Sequence, residues 1–239
     1  MKSESNFAEL WGIAIGDGWI GRGSGLTLFI SGDPIEDKNY YDKHIKLLFK
    51  NVFNYTINPI PFAYWDTYGI AIGKKEIIKE FIKNNFPIGK KKLIKIPIKF
   101  KSKRRLSISL LRGIFDTDGT IYFQKNYNKE TVCKWKKEHH YIPVVGISSI
   151  NKNFISDLKL LIEKYTKIRC HLEYSRPSKT APNPTWKVVM KCKNNVENWF
   201  DIINPQNFKH ISKFLVWKKL GYYTPRMKLI ERLKTLNNT

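Results

Sequence analysis

A nine-residue segment occurs twice in this chain of 239 residues. Residues 10–18 read LWGIAIGDG, and residues 111–119 read LRGIFDTDG. Counting the isoleucine two positions after each segment, six residues are identical at an offset of 101. One Asp-Gly pair would indicate little more than a turn. Two matched copies, in a chain just over twice their spacing, predict an internally duplicated fold.

The match between the halves extends beyond this segment. The residues at 45–48 (IKLL) match those at 158–161 (LKLL) at an offset of 113. Further along, residues 81–87 resemble residues 199–205 at an offset of 118. Because insertions accumulate in surface loops, the growing offset indicates longer hairpin loops in the second half. Those loops are predicted at 125–140 and 176–184.

Each half is predicted to run helix, hairpin, helix, hairpin, helix. We expect a first unit at 1–100 and a second at 107–239, joined by a linker at about 90–106. Between 90 and 105 there are nine basic residues and no acidic one. Such a run is often a solvated surface or a targeting signal, but between two repeats it also suits a connection that faces phosphates.

Local patterns predict where the elements lie. Asn6 is the expected N-cap of the first helix, with Glu9 at capping-box spacing, and Ser107 is the expected cap of a helix at 110–116. Strands are predicted at 26–31, 57–65, 68–73, 120–124, 142–148, 169–175 and 186–191. Helices are predicted at 37–53, 75–85, 153–165, 195–203, 211–220 and 227–236.

The charge of the chain favours a polyanionic partner. The sequence has 43 Lys and Arg against 20 Asp and Glu, a formal net charge of +23. Nucleic acid is the first candidate, and a solvated lysine-rich surface is the alternative. No run approaches the ~18 apolar residues of a spanning helix, so no membrane partner is expected. The N-terminus lacks a signal-peptide pattern, and three scattered cysteines fit a reducing compartment, the cytosol or an organelle.

Each repeated segment ends with a carboxylate where a helix is predicted to end. The helix dipole is negative there and disfavours an acid by roughly 0.3–1 kcal/mol. If the two helices pack together, with Gly12 and Gly113 allowing close approach, Asp17 and Asp118 become neighbouring like charges. Divalent cations offset such charges best, and oxygen ligands favour Mg²⁺. The pair therefore suits phosphodiester hydrolysis. The alternative is that both Asp-Gly pairs are only turns that end helices.

Both segments resemble the signature helices of the LAGLIDADG homing endonucleases, and the double copy resembles the monomeric two-repeat members. The first copy departs from the signature at Trp11 and Ile15. The resemblance implies an α/β (α+β) fold of two pseudo-symmetric αββαββα repeats. Their signature helices would pack at the inter-repeat interface, and their sheets would form a saddle-shaped DNA-binding surface. It also implies that Asp17 with the Gly16 carbonyl, and Asp118 with the Thr117 carbonyl, bind metal.

The resemblance further implies a basic residue near each scissile phosphate. The alignment of the halves places Lys91 opposite Lys209, with Lys90, Lys92 and Lys213 as competitors. The implied cofactor is Mg²⁺, as two or three divalent ions for which Mn²⁺ substitutes.

Residues on the non-core face of each sheet are expected to contact DNA. In the first half these are Arg22, Thr27 and Phe29. In the second half Arg169, His171 and Glu173 are expected to share one face, and Lys187 and Lys191 another. Lys125, Lys134 and Arg176 lie in the hairpin loops that would extend this surface. The alternative for each of these side chains is contact with water.

The sequence thus favours a site-specific, metal-dependent double-strand DNA endonuclease, and the resemblance implies that it leaves short 3′ overhangs. It would act as a monomer on a duplex of about 20 base pairs, two helical turns. The alternatives are an RNA maturase that assists intron splicing, a non-cleaving DNA-binding protein, and a basic ribosome-associated protein. A zinc set formed by Cys133, His139 and His140 is disfavoured, because no second ligand pair completes it.

Overall fold

Two long helices carry the repeated segments and pack side by side. The computed structural model describes residues 2–23, 25–91, 93–125, 139–179 and 181–238. Helix α1 spans Lys2–Asp17 and helix α5 spans Arg104–Asp118, and each is the other's most extensive partner. A Cβ on Gly12 would lie 2.5 Å from Leu110 O, and one on Gly113 would overlap Glu9 O. Only glycine allows the two backbones to approach this closely.

Each half contains a four-stranded antiparallel sheet. In the first half β1 (Gly18–Arg22), β2 (Leu26–Gly32), β3 (Ile60–Phe62) and β4 (Thr67–Ile72) have the order β1-β2-β4-β3. In the second half β5 (Gly119–Gln124), β6 (Ile142–Ser149), β7 (His171–Ser175) and β8 (Thr185–Lys191) have the order β5-β6-β8-β7. The identical order confirms the predicted fold of two pseudo-symmetric repeats.

The other helices cover one face of each sheet or extend the second half. They are α2 (Lys46–Phe53), preceded by a π-helical segment at Tyr40–Ile45, α3 (Lys75–Lys83), α4 (Ile98–Ser102), α6 (Lys152–Thr166), α7 (Lys193–Ile203), α8 (Phe208–Leu220) and α9 (Leu229–Asn237). Arg232 in α9 is fully buried and pairs with Glu36, so the C-terminal helix is anchored to the first half. None of the helices in the described residues is long and apolar enough to span a membrane.

The predicted starts of the two central helices were wrong. Helix α1 begins at Lys2 rather than after Asn6, and α5 begins at Arg104 rather than after Ser107. The Ser107 side chain is buried and its Oγ donates to Phe100 O at 2.7 Å. It therefore joins α5 to α4 instead of capping a helix, since capping needs a free backbone N–H in the next turn.

The core accounts for Trp11, the bulkiest departure of the first copy from the signature. Its ring is fully buried and packs against Phe86 and Phe100, with centroids 6.3 and 5.6 Å away. Its Nε1 donates to Asn84 O at 2.9 Å, which satisfies the one polar atom of the side chain. Trp11 is thus a packing residue of the first half.

Candidate active site

The C-terminal ends of α1 and α5 meet at the two repeated aspartates. A Cβ on Gly16 would lie 2.6 Å from Thr117 Cβ and 3.1 Å from Asp118 N, so the last turns of the helices are in direct contact. Strand β1 begins directly after Asp17, and strand β5 begins directly after Asp118. Asp17 and Asp118 therefore lie side by side where the helices pass into the two sheets, and the charge of Asp118 opposes the ionisation of Asp17.

The environment of Asp17 opposes its ionisation. Burial, followed by the charges of Asp37 and Asp118, raises the pKa of Asp17 to about 7. Tyr41 opposes this rise, because its hydroxyl donates to Asp17 Oδ2 at 3.1 Å. Burial also raises the pKa of Tyr41 well above its ordinary value, so the hydroxyl remains a donor. A cation at this position would relieve the crowding of negative charge.

Asp118 is the more accessible of the pair. Its side chain lies at an exposed position, yet partial desolvation still raises its pKa. The charges of Lys91 and Lys209 lower that pKa. The two lysines that the alignment of the halves paired are thus both close enough to stabilise the Asp118 carboxylate.

Lys91 lies across the end of α1. Its Nζ donates to Gly16 O at 2.9 Å and to Ile15 O, and it lies 3.5 Å from Ala14 O. These carbonyls have no partner within the helix because they belong to its last turn. Desolvation lowers the pKa of Lys91, while the charges of Asp118 and Asp17 oppose the shift. The ammonium group therefore binds the carbonyl oxygen of Gly16, which the resemblance assigns to a metal ion.

Lys209 approaches the site from the second half. Its Nζ lies 3.6 Å from Asp37 Oδ2, and its charge lowers the pKa of Asp17. Of the competing lysines, Lys90 is exposed and Lys213 lines a cavity beside Glu36 and Arg232. Lys92 lies outside the described residues.

A buried polar network that sequence reasoning missed lies beneath the carboxylates. Asn207, at the N-cap of α8, donates through Nδ2 to Asp37 Oδ1 at 2.7 Å and to Asp116 O at 2.8 Å. A Cβ on Gly32 would lie 2.7 Å from Asp37 Oδ2 and 3.1 Å from Asp17 Oδ2, so these two carboxylates approach one point. Asn207 thereby links both halves next to the site.

Asp116 is the sixth residue of the second segment, where the first segment has Ile15. It is completely buried and accepts a hydrogen bond from Gln206 N at 2.9 Å. Burial raises its pKa to about 8. Within the described residues its Oδ1 has no hydrogen-bond partner. Its contacts point into the protein, so it supports the loop before α8 and lies outside the accessible part of the site.

The register of the first sheet places the predicted DNA-contact residues on two faces. Thr27 and Phe29 face away from the core, as predicted. Arg22 pairs with Leu26 and has the same parity as the buried Ile20, so its predicted place beside Thr27 was wrong. Successive side chains of a strand alternate between faces, so Ile20 and Arg22 lie on the same face of β1.

In the second sheet the predicted residues lie on one face rather than two. Glu173 pairs with Lys187, and Lys191 Nζ lies 2.9 Å from Glu173 Oε1. His171 has the same parity on β7. The separation of Lys187 and Lys191 from the other residues was therefore wrong, because cross-strand partners in an antiparallel sheet share a face. Arg169 precedes β7, Arg176 follows it and Lys125 follows β5, all exposed, whereas Lys134 lies outside the described residues.

The donor set at the helix ends fits a hard divalent cation. It offers two carboxylates and two backbone carbonyls, all oxygen, as Mg²⁺ prefers. The Lys91 ammonium on Gly16 O shows that this position already accommodates a positive charge. Among the described residues, no three His, Cys, Asp or Glu side chains form a metal cluster. The disfavoured zinc set is not tested, because Cys133 lies outside them; His140 Nδ1 lies 2.7 Å from Phe123 O.

Asp17→Asn is expected to raise the melting temperature of the metal-free protein at pH 8 by about 2–4 °C, which corresponds to about 1 kcal/mol. The folded carboxyl has a pKa of about 7 and the unfolded one 3.8, so the folded state holds a proton that the unfolded chain has released. The resulting cost to stability grows as the pH rises through this window and is complete above it. Thermal unfolding in a chelator at pH 8 and pH 5 measures the effect, and a gain that fails to shrink at pH 5 contradicts it.

No protein-family model matches the sequence, and no curated protein does. Among solved structures, mesophilic variants of the homing endonuclease I-DmoI match with a TM-score of 0.58 at 12% identity, over 85% of this chain and 97% of that chain. I-DmoI in complex with DNA and Ca matches with 0.58 at 12%, over 84% and 91%. The N-terminal LAGLIDADG domain of DUF199/WhiA matches with 0.53 at 14%, over 85% and 83%. The chain therefore has a LAGLIDADG homing-endonuclease-like fold, and this likeness concerns the fold alone.

Proposed function

We propose that this protein is a site-specific double-strand DNA endonuclease of the homing type. It acts as a monomer, hydrolyses one phosphodiester bond in each strand with a divalent cation, and leaves short 3′ overhangs. The observation that carries the proposal is the pair of carboxylates, Asp17 and Asp118, at the adjoining ends of two packed helices. The net charge of +23 and the DNA complexes of I-DmoI support a DNA partner.

The residues at the helix ends have complementary roles in this proposal. Asp17 and Asp118, with the carbonyls of Gly16 and Thr117, hold the divalent ions. When bound, these ions lower the pKa of a water molecule and stabilise the leaving oxygen. Lys91 and Lys209 place positive charge beside the carboxylates, where the scissile phosphates approach. Tyr41 and Asn207 fix the carboxylates that surround the site.

The units at 1–100 and 107–239 each contact one half of the target, through the outward faces of their sheets. The proposed contacts from the second half are Lys125, Lys134, Arg169, His171, Glu173, Arg176, Lys187 and Lys191. Lysine contacts to phosphates give affinity that falls as salt rises, and base-edge contacts give specificity. Mg²⁺ is the proposed ion, and crystal structures of I-DmoI variants in complex with target DNA were determined in the presence of Mg or Mn.

A non-cleaving DNA-binding protein is the second candidate. One observation favours it: the Lys91 ammonium occupies Gly16 O, a carbonyl that the nuclease needs for its metal ion. In such a protein the Lys91 ammonium would remain hydrogen-bonded to the last carbonyls of α1.

Selection from a DNA library decides between the two functions. The purified chain is incubated with randomised duplexes and Mg²⁺, and both the bound molecules and the cut ends are sequenced. The nuclease predicts one recurrent site cut in both strands with a 3′ stagger. Recurrent bound sites with no cut ends would support the binding protein and overturn the endonuclease.

Lys91→Met is expected to tighten the binding of Ca²⁺ about tenfold and to slow cleavage by at least about tenfold. The first effect follows because removal of one nearby positive charge frees Gly16 O and strengthens the site by roughly 1–2 kcal/mol. The second follows because the phosphate loses a cationic neighbour. Titration calorimetry with Ca²⁺ measures the first effect, and single-turnover cleavage in Mg²⁺ measures the second. Lys90→Met, which alters an exposed neighbour, is the control. Unchanged Ca²⁺ affinity would show that the ammonium does not compete with the ion.

A further inference from the structure

The outward face of the first sheet carries aromatic rings instead of charges. Among β1 to β4, the single charged residue in the strands as the structure describes them is Arg22, which has the parity of the core face. The larger outward residues are Trp19, Thr27, Phe29, Ser31, Ile60, Phe62 and Thr67. The second sheet differs, because its outward face holds Glu173, Lys187 and Lys191.

The rings of Trp19, Phe29, Phe62 and Trp65 form an exposed cluster on this face, which we call the aromatic floor. The rings of Trp19 and Phe29 are nearly parallel, with centroids 4.8 Å apart and an interplanar angle of 12°. A Cβ on Gly21 would lie 2.6 Å from Trp19 Cη2, so this ring lies across Gly21 on the sheet surface. Trp65 stands almost perpendicular to Phe29, at 86° and 5.9 Å. Trp19 is 41% exposed and Trp65 49%, so these side chains present ring surface to a partner.

This aromatic floor is continuous with the candidate active site. Strand β1 begins directly after Asp17, so Trp19 lies two residues from the carboxylate. A duplex whose phosphate reaches Asp17 also passes over this face. Exposed apolar patches of this kind mark binding surfaces, and the net charge of +23 favours a polyanion as the partner.

The chemistry of the floor selects one feature of duplex DNA. In the major groove the base pairs present hydrogen-bond donors and acceptors, and one apolar group, the thymine 5-methyl. For the polar groups of the bases, this face offers the hydroxyls of Thr27 and Ser31 and the indole N–H of Trp19, because the Thr67 hydroxyl is buried. A methyl group that projects from a base edge can pack against the ring surface that Trp19, Phe29 and Trp65 leave exposed. Aromatic and aliphatic contact is the recognition that such a surface can supply.

We propose that the first sheet recognises a thymine-rich half-site through the 5-methyl groups, whereas the second sheet recognises its half-site by hydrogen bonds and phosphate contacts. The proposal rests on the proposed function only in that the partner is duplex DNA. It does not require cleavage. It assigns Trp19, Phe29 and Phe62 as specificity-determining residues, of which Phe29 alone is a residue that sequence patterns had marked.

Replacement of thymine by deoxyuridine tests the proposal without altering the protein. A duplex site is first selected by binding in a chelator, and its two halves are then substituted separately. In the half bound by the first sheet, each methyl removed is expected to weaken binding about fourfold, since a group of this size contributes about 0.8 kcal/mol. In the other half the change is expected to stay within twofold. Fluorescence anisotropy measures both affinities at one salt concentration.

Two variants identify which sheet reads which half. Phe29→Ser is expected to bind the thymine site more weakly and to lose its sensitivity to deoxyuridine. Tyr122→Ser, which alters an outward aromatic residue of the second sheet, is the matched control and should retain that sensitivity. Circular dichroism tests whether both variants are folded. The effect of deoxyuridine on binding by the wild-type chain tests the proposal even if a variant is unfolded.

The other outcomes overturn one proposal or the other. Specific duplex binding with equal or absent deoxyuridine effects in both halves overturns this inference and leaves the proposed function intact. Tighter binding of single-stranded DNA or RNA than of any duplex, abolished by Phe29→Ser, would show that the rings stack on unpaired bases and would also overturn it. Failure to select any duplex overturns the proposed function itself.

Discussion

Replacement of Asp118 or Asp17 by Asn is expected to abolish cleavage of the target duplex while its binding is retained. Asn keeps the size and one oxygen of each side chain but removes the negative charge that a divalent ion needs. We expect the single-turnover rate in Mg²⁺ to fall roughly 10³-fold or more, the scale on which an enzyme loses an electrostatic contribution to the transition state. Binding, measured in Ca²⁺ or a chelator, should change little because the sheets are untouched.

Asp201→Asn is the matched control for this experiment. It removes the same charge from an exposed position on α7. A variant of Asp17 or Asp118 that cleaves at the wild-type rate contradicts the proposed chemistry. Equal losses in all three variants would instead point to a general effect of net charge on DNA binding, and the anisotropy measurement would detect that.

The sequence predicted the position of this site because each half of the chain contributes a copy of the same short segment. Each segment combines a glycine that permits close helix packing with an aspartate at the helix end, and both features lie within nine residues. The growing offset between the halves also paired Lys91 with Lys209, and the structure places both lysines near Asp118. One copy of the segment is a weak local pattern. Two copies also predict which residues are neighbours in space, because equivalent residues of the two repeats meet where the repeats pack together.

The remainder of the site depends on contacts that no local pattern encodes. Asn207 and Asp37 are hydrogen-bonded across the halves although they lie 170 positions apart. Neither residue has an identical counterpart at the offsets of 101, 113 and 118 that relate the repeats. Lys91 was predicted to face a phosphate, but its hydrogen bonds to the last carbonyls of α1 depend on how the segment after α3 returns to the helix end. The path of this segment back to the end of α1 is set by tertiary packing.

The outward faces of the sheets show a second limit of sequence patterns. Alternation placed Thr27 and Phe29 correctly, but it could not fix how neighbouring strands align. Arg22 was therefore assigned to the wrong face, and the two lysines of β8 were wrongly separated from Glu173. A shift of one residue in register exchanges the faces of a strand. The aromatic floor was missed for the same reason, since Trp19 and Phe62 meet Phe29 only in the paired sheet.

Gly113→Ala is expected to destabilise the protein by about 3 kcal/mol, because overpacking that displaces backbone costs this much. The added methyl would overlap Glu9 O and lie 2.9 Å from Ile13 N, and backbone atoms cannot rotate away as a side chain can. The melting temperature should fall by roughly 6–12 °C. Gly73→Ala is the matched control, since a Cβ there would meet nothing within 4 Å. That variant should melt within a few degrees of the wild type.

The same substitution tests whether helix packing positions the active site. If α1 and α5 separate to accommodate the methyl group, the last turns that hold Asp17 and Asp118 separate too. Cleavage by the folded fraction, measured well below the melting temperature, should then fall at least about tenfold, since misplaced catalytic groups lose rate steeply with distance. Gly73→Ala should cleave normally. A Gly113→Ala variant that melts and cleaves like the wild type would show that the close approach of the two helices is not required, and the role of the repeated glycine would have to be abandoned.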